Sequence, residues 1–239
     1  MKCFSIAGRE LKVAFDSPIA WVIWGVVPAS AAAFFFVLGS FFEQGLASMR
    51  AWFAVMPILL VLIAPALTMR MWSEETRSGT LELLRTLPLT VFDLVLGKFL
   101  AAFALLAIAL CFSLAAPLSV SMLGDLDWGP VWSAYFGTLL LGAASIACGL
   151  FCSAVTRNQV VAWLLGVALL MLCNLFAAAA TAVAMPPSLS RIFLSLDFGV
   201  RFSGMTRGVM PLEDLFFFLA IAAFFLLWNG LLLQRRRWI

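Results

Sequence analysis

The chain has 239 residues, 64% of them hydrophobic and 11% charged, with a mean hydropathy of +1.10 and a formal net charge of +3. A soluble domain of this length needs far more polar surface, so the composition excludes one and indicates an integral membrane protein. Histidine is absent, which removes the commonest general base, the commonest metal ligand and every Ser-His or Cys-His nucleophile pair. At roughly 20 apolar residues per helical span, six or seven spans fill the chain and leave no large soluble domain. Of the five cysteines, Cys111, Cys148, Cys152 and Cys173 lie in apolar runs. Cys148 and Cys152 share a helix face, but with no further ligands they read as small buried hydrophobes rather than a metal site.

Residues 1–18 read as an amphipathic helix at the membrane surface. Phe4, Ala7, Leu11 and Phe15, with Gly8, form its apolar stripe, and Lys2, Arg9, Glu10 and Lys12 sit off it. Pro18 marks the passage into a first span over 19–42. Ala29-Ser-Ala31 has the look of a signal-peptide cleavage site, but the leader is long, contains acids, and the apolar run continues to Phe42, which favours an uncleaved span. The second span covers 52–71, with Pro57 and Pro65 expected to bend it. A charged segment over 72–88 follows. The third span, 93–121, is broken by Pro117, and Lys98 is expected to snorkel to the surface from its near end. Gly124 to Pro130 forms a tight acidic turn before the fourth span, 131–155. There Ser145, Gly149 and Ser153 repeat every four residues, a spacing that lets a neighbouring helix approach closely without saying which one. A short turn leads to the fifth span, 159–185. Residues 186–212 mix Arg191, Asp197, Arg201 and Arg207 with apolar side chains and read as an amphipathic helix or helix pair at the outer face. The sixth span, 214–234, ends in a basic tail. Arg235 to Arg237 is read as an anchor beside anionic headgroups.

The segment between spans two and three gathers Arg70, Glu74, Glu75, Arg77, Glu82 and Arg85. After Gly79 it turns amphipathic, with Leu81 and Leu84 on one helical face and Glu82 elsewhere. Thr80 is the candidate N-cap, and Pro88 stops the short helix. A mixed-charge helix cannot stay in hydrocarbon, so it belongs at or beyond the surface, where a soluble partner can grip it. The string Glu74-Glu-Thr-Arg-Ser-Gly-Thr-Leu-Glu-Leu-Leu-Arg-Thr-Leu-Pro88, with Leu96-Gly-Lys98 and Arg207-Gly-Val209, resembles the ABC-2 family of ABC-transporter permeases, and within it the gliding-motility-associated branch.

The resemblance implies an all-α polytopic membrane protein forming a single transmembrane domain over 1–239. It would hold six transmembrane helices, an N-terminal interfacial helix, a cytoplasmic coupling helix in 72–88, and an amphipathic outer segment between spans five and six. It further implies a bacterial inner-membrane assembly of two permeases, identical or homologous, with two ABC ATPase subunits that carry the ATP and Mg. In that scheme Glu74, Glu75, Arg77 and Glu82 make polar contacts with the ATPase or stabilise the bend. Gly79 permits a conformation or approach that a side chain blocks, and Leu81, Leu84 and Leu87 pack into the ATPase groove or on the membrane, between Thr80 and Pro88. No Gly-x-x-x-x-Gly-Lys-Ser/Thr phosphate loop occurs in the chain, so ATP hydrolysis belongs to a partner. No cofactor, metal or nucleic acid is expected on this chain; membrane lipids are.

The charge distribution agrees on orientation. With both termini cytoplasmic, Lys2, Arg9, Lys12, Arg70, Arg77, Arg85, Lys98, Arg157 and Arg235 to Arg237 fall inside, against Arg50, Arg191, Arg201 and Arg207 outside. An ion-coupled carrier wants carboxylates at mid-membrane, and here every Asp and Glu lies in a loop or at a span end. An intramembrane enzyme lacks its histidine or its paired aspartates, and Glu74, Glu75 and Glu82 have arginine neighbours that suggest salt bridges rather than a metal cage. An ATPase-linked scaffold of a motility or envelope-assembly machine stays open beside the exporter-type permease. The substrate is not readable from the spans, which are Ala, Leu, Phe and Gly with scattered hydroxyls. Asn174, an amide in the fifth span, needs a partner in the membrane and is the candidate contact for a dimer or the translocation path.

Overall fold

The computed structural model describes residues 2–16, 18–35, 48–80, 90–182 and 186–235, and no strand occurs among them. The helices are α1 (Lys2–Asp16), α2 (Pro18–Ala33), α3 (Arg50–Ala54), α4 (Met56–Ser78), α5 (Val91–Ser113), α6 (Ala115–Leu123), α7 (Trp128–Val155), α8 (Gln159–Asn174), α9 (Phe176–Ala182), α10 (Pro187–Leu196), α11 (Phe198–Met205) and α12 (Leu212–Arg235). By length and composition α4, α5 continued by α6, α7 and α12 can each cross a membrane, and α8 is apolar but shorter. Residues 36–42 of the first expected span lie outside the described residues.

Polar residues between the apolar runs set the helix starts. Thr90 and Asp93 form a reciprocal capping box at α5: the Thr90 hydroxyl accepts from the Asp93 amide at 3.1 Å, and the Asp93 carboxylate accepts from the Thr90 amide at 3.2 Å. Asp127 accepts from the Gly129 amide at 3.0 Å to start α7, and Asn158 accepts from the Val160 amide at 2.9 Å to start α8.

Three expected spans are interrupted. The second is two helices, α3 and α4, meeting at Val55 just ahead of Pro57. The third breaks at Leu114, three residues before Pro117. A proline there cannot donate to the Ser113 carbonyl, and the Ser113 hydroxyl instead donates to Leu110 O at 2.7 Å and lies 3.0 Å from the Tyr135 hydroxyl. The fifth breaks at Leu175, where no proline or glycine announces it. Buried Asp197, eight-tenths of the way along the chain, supplies the reason. Its carboxylate accepts from the Ala177 amide at 2.8 Å and from the Val200 amide at 2.9 Å, capping the starts of α9 and α11 together. Residues 186–212, expected to hold an amphipathic helix or a helix pair, contain two helices, α10 and α11.

α7 is the hub. It packs on α4, α5, α8, α11 and α12, and its small residues let them close in. The neighbour of the Ser145, Gly149, Ser153 stripe is α4: a Cβ on Gly149 would lie 2.3 Å from Thr68 Oγ1 and 3.3 Å from both the Ala64 carbonyl oxygen and Pro65 Cα. Ser153 Oγ donates to Met69 O at 2.9 Å and accepts from the Trp72 amide at 3.2 Å. Gly166 of α8 closes on Pro65 from the other side, its Cβ position 2.8 Å from the ring. Pro65, which leaves the Val61 carbonyl without its helical donor, therefore sits where three helices touch. Trp163 of α8 donates its indole N–H to the Leu62 carbonyl at 3.3 Å.

Gly149→Val should therefore wedge α4 from α7 and cost about 2 kcal/mol or more. Gly8→Ala, with nothing within 4 Å of the new methyl, should raise stability by up to about 1 kcal/mol through helix propensity. Thermal unfolding of both variants in detergent, followed by size-exclusion chromatography, reads the contrast. Equal stability of the two would remove the close α4–α7 approach.

Candidate functional site

The charged end of α4 is built on an apolar helix that does not stop where the apolar residues do. Residues 72–78, expected to begin a separate segment, continue α4 without a break. Their hydroxyls bond back along the helix, which keeps polar residues satisfied within it. Ser73 donates to Met69 O, Thr76 to Trp72 O at 2.7 Å and Ser78 to Glu74 O at 2.8 Å. α4 ends at Gly79, whose φ of +73° is the left-handed conformation that glycine adopts without strain. Thr80 is exposed, its hydroxyl 2.9 Å from that of Ser78. Leu81, Glu82, Leu84, Leu87 and Pro88, and the short helix expected from them, lie outside the described residues.

On the last two turns of α4 the charged residues divide. Glu74 and Arg77 are exposed. Glu75 turns inward to Lys98 of α5, its Oε1 2.7 Å from Nζ. Glu10 of α1 approaches the same ammonium at 3.2 Å and itself receives Arg9 at 3.1 Å. The Trp72 ring, one turn before Glu75, lies 4.9 Å from Lys98 Nζ. Lys98 is only 1% exposed, so it does not snorkel to the surface as expected; two carboxylates and an aromatic face enclose it. An ammonium this deep is tolerated only when paired, and the pairing ties α1, α4 and α5 at one point.

Gly97 makes that junction accessible to α1. A Cβ there would fall 2.6 Å from Ile6 Cγ2 and 3.1 Å from the Cys3 carbonyl oxygen. The Leu96-Gly-Lys98 triplet thus has two functions: Gly97 is the seat for α1, and Lys98 is the charge that α1 and α4 share. The face that α1 turns inward carries Ile6, Ala7, Glu10 and Ala14, whereas Phe4 and Phe15, on the stripe predicted from sequence, are exposed. α1 has two apolar faces, and the larger side chains mark the outer one.

Asn174 lies at the other end of α8. That helix starts at Gln159, which accepts from Arg70 Nε at 3.2 Å, and reaches Asn174 about 22 Å further on. The Asn174 amide donates to Leu170 O at 2.9 Å within its own helix, and its oxygen is 3.8 Å from the Cβ position of Gly199. The structure does not bring it to the Lys98 cluster. The segment that holds α10 and α11 is tied down separately: Arg201 pairs with Asp214 at 2.6 Å, stands over the Phe217 ring at 4.2 Å, and donates to the Ser195 carbonyl. Gly208 of the Arg207-Gly-Val209 triplet adopts φ +84° against Pro130. Among the described residues no group of His, Cys, Asp and Glu is arranged to hold a metal ion.

Glu10, Trp72, Lys98 and Asp197 were not singled out as partners by sequence reasoning. The signal for the first three was a lone lysine in an apolar run beside a glycine, with one acid on the amphipathic helix and another on the charged segment. Asp197 offered no comparable signal.

Long apolar helices around a small-residue hub, with charge gathered at one end, define a multi-pass helical membrane protein. The family model for ABC-2 family transporter proteins matches residues 5–200, and the chain belongs to that family. Its members are the membrane subunits of transporters, without an ATPase motif of their own, and usually work with an ABC ATPase. No curated protein matches the chain.

Loss of either Lys98 partner strands part of a buried charge. Glu75→Gln should cost about 3 kcal/mol, whereas Glu74→Gln, on the exposed side of the same turn, should change stability by no more than about 0.5 kcal/mol. Lys98→Met combined with Glu75→Met should recover most of the loss, since Glu10 keeps Arg9. A double-mutant cycle on thermal stability measures this, and additive losses would dismiss the cluster as a coupled unit.

Proposed function

We propose that the chain is the permease subunit of an ATP-driven exporter, with six spans and both termini in the cytoplasm of a bacterium. In this reading a separate ABC ATPase, carrying ATP and Mg, docks on the segment that follows Gly79, and the permease works as a pair with a second copy or a homologue. Glu74, Arg77 and Thr80 are the contacts offered at the near end of that segment, with Leu81, Glu82, Leu84 and Pro88 beyond them. Glu75 supports the bend from inside through Lys98.

The observation that carries the proposal is the continuity of α4. It runs unbroken from the buried core at Met56 to Ser78 and stops on a left-handed glycine directly before the proposed docking segment. A displacement of that segment is then delivered to the helix that packs most closely on the hub α7. ATP-driven closure of two ATPases would move α4 as a rigid lever and switch which side of the permease pair is open.

Purification from the native host in a mild detergent should bring down an ATPase with a phosphate loop. Gly79→Asn, which tolerates the left-handed conformation, should retain it, and Gly79→Val should lose most of it while the permease stays folded. Recovery of the chain alone, or equal capture by both variants, overturns the docking role of this corner.

A further inference from the structure

A cavity of about 530 Å³ opens beside the Lys98 cluster, between α1, α4 and α5. Its apolar wall is Val13, Ala14, Ala66, Leu67, Met71 and Leu105, and its charged wall is Arg9, Glu10, Arg70, Glu74, Glu75 and Lys98. Part of that charge is already committed, since Lys98 holds Glu10 and Glu75, and Arg9 holds Glu10. Arg70 and Glu74 are one turn apart on α4, yet they do not pair. Arg70 sends Nε to Gln159, so its two Nη groups and the Glu74 carboxylate are without an ion-pair partner among the described residues. Glu75 Oε2 is shielded from solvent and has no donor among them. Two carboxylates share one ammonium there, so the cluster carries more acceptor capacity than donors.

From this arrangement we infer that the cavity binds the headgroup of a zwitterionic phospholipid bearing a primary ammonium. Arg9 and Arg70 take the phosphate, Glu74 and Glu75 take the ammonium, and the glycerol and first part of the tails lie on Ala66, Leu67, Val13 and Leu105. The inference does not depend on the ATPase reading.

Charge balance selects the headgroup. The cavity presents three cationic and three anionic side chains, so a purely anionic headgroup would meet Glu74 and Glu75, and a purely cationic one would meet Arg9 and Arg70. Carboxylate acceptors favour an ammonium with N–H groups over a quaternary one, which has none to give. The apolar wall and the exposed Phe4, Val13 and Phe15 on α1 select a lipid over a soluble zwitterion, because the tails can continue along a surface that is already apolar. The volume suits a headgroup and glycerol, within the range of small-molecule sites.

The full chain, purified without any ATPase, is titrated with phosphatidylethanolamine, phosphatidylcholine and phosphatidylglycerol of identical acyl chains, with bound lipid counted by native mass spectrometry. Phosphatidylethanolamine should bind about tenfold tighter than the other two, and Glu74→Gln should erase most of that preference, as expected for one charge-assisted contact, whereas Arg70→Gln, which removes a contact to the phosphate common to all three, should weaken the three lipids together. Both residues are exposed, so folding should be retained. Ala66→Phe, which fills the apolar wall from a different side, should weaken all three lipids together. Equal binding of the three lipids, a preference unchanged in Glu74→Gln, or affinities for all three unchanged in Arg70→Gln, overturns the proposal. So does competition by tail-free glycerophosphoethanolamine as strong as that of the lipid, which would make the ligand a soluble zwitterion. Because no ATPase is present, a failure here leaves the docking experiment at Gly79 untouched, and the reverse also holds.

Discussion

A lysine ammonium cannot be enclosed by protein without charged partners, and the burial of Lys98 organises this chain's architecture. With 1% of its surface exposed, Lys98 cannot be hydrated; desolvating it alone would cost several kcal/mol. Its two carboxylates come from different directions, Glu10 from the N-terminal helix and Glu75 from the last turns of α4. Neither α1 nor α4 can drift from α5 without leaving the ammonium short of a partner. An apolar interface would tolerate sliding by a residue or so, whereas an ion pair at 2.7 Å fixes register as well as proximity. The pair thus does for these three helices what apolar contact alone does poorly where lipid is as apolar as the side chains.

The hub works by the opposite means. α7 has no charged side chain among its buried residues, and its neighbours are held by backbone-close packing at Gly142, Gly149 and Gly137. Hydroxyls supply the polar contacts, as Ser153 does in reaching α4 across the gap that Gly149 opens. The two devices meet on α4, which is pressed to α7 along its middle and tied to α5 at its charged end. Pro65 fits into this arrangement because Gly149 and Gly166 leave room on both sides of it.

Much of this was legible in the sequence, and the failures share a cause. Apolar runs and turn residues mark the helices, and the stripe around Gly149 announces a close approach. The interruptions at Val55 and Leu114 follow Pro57 and Pro117. The break at Leu175 had no local signal, because its cause is a carboxylate more than twenty residues away that caps Ala177 from outside. Lys98 was read by the rule for a lone cation near a span end, and that rule fails when acids from elsewhere in the chain converge on it. On α1 the large Phe4 and Phe15 mark the outward face, while the inward face carries Ile6, two alanines and one acid. The pattern along a helix shows that a face is special; which neighbour it meets is tertiary information. For the proposed docking residues, the sequence identifies the exposed Glu74 and Arg77 and the corner at Gly79, and it could not tell that Glu75, next in line, is held by Lys98.

The placement of the interruptions follows one direction. Val55 is about 30 Å of helix from Glu75, Leu114 about 24 Å from Lys98, and Leu175 a similar distance from the end of α8 that meets Arg70. All three breaks in the hydrogen-bond ladder lie at the ends remote from the ion cluster, and no break falls between the cluster and the hub contacts at Pro65. A helix transmits displacement along its axis only as far as its ladder is intact. On α4 the ladder is intact from Ser78 past Glu75 to Pro65, where the Val61 carbonyl lacks its donor and Gly149 and Gly166 close in on the ring. Among the described residues the end with the charged cluster is therefore continuous helix, whereas at the far end α3, α6 and α9 are separate pieces.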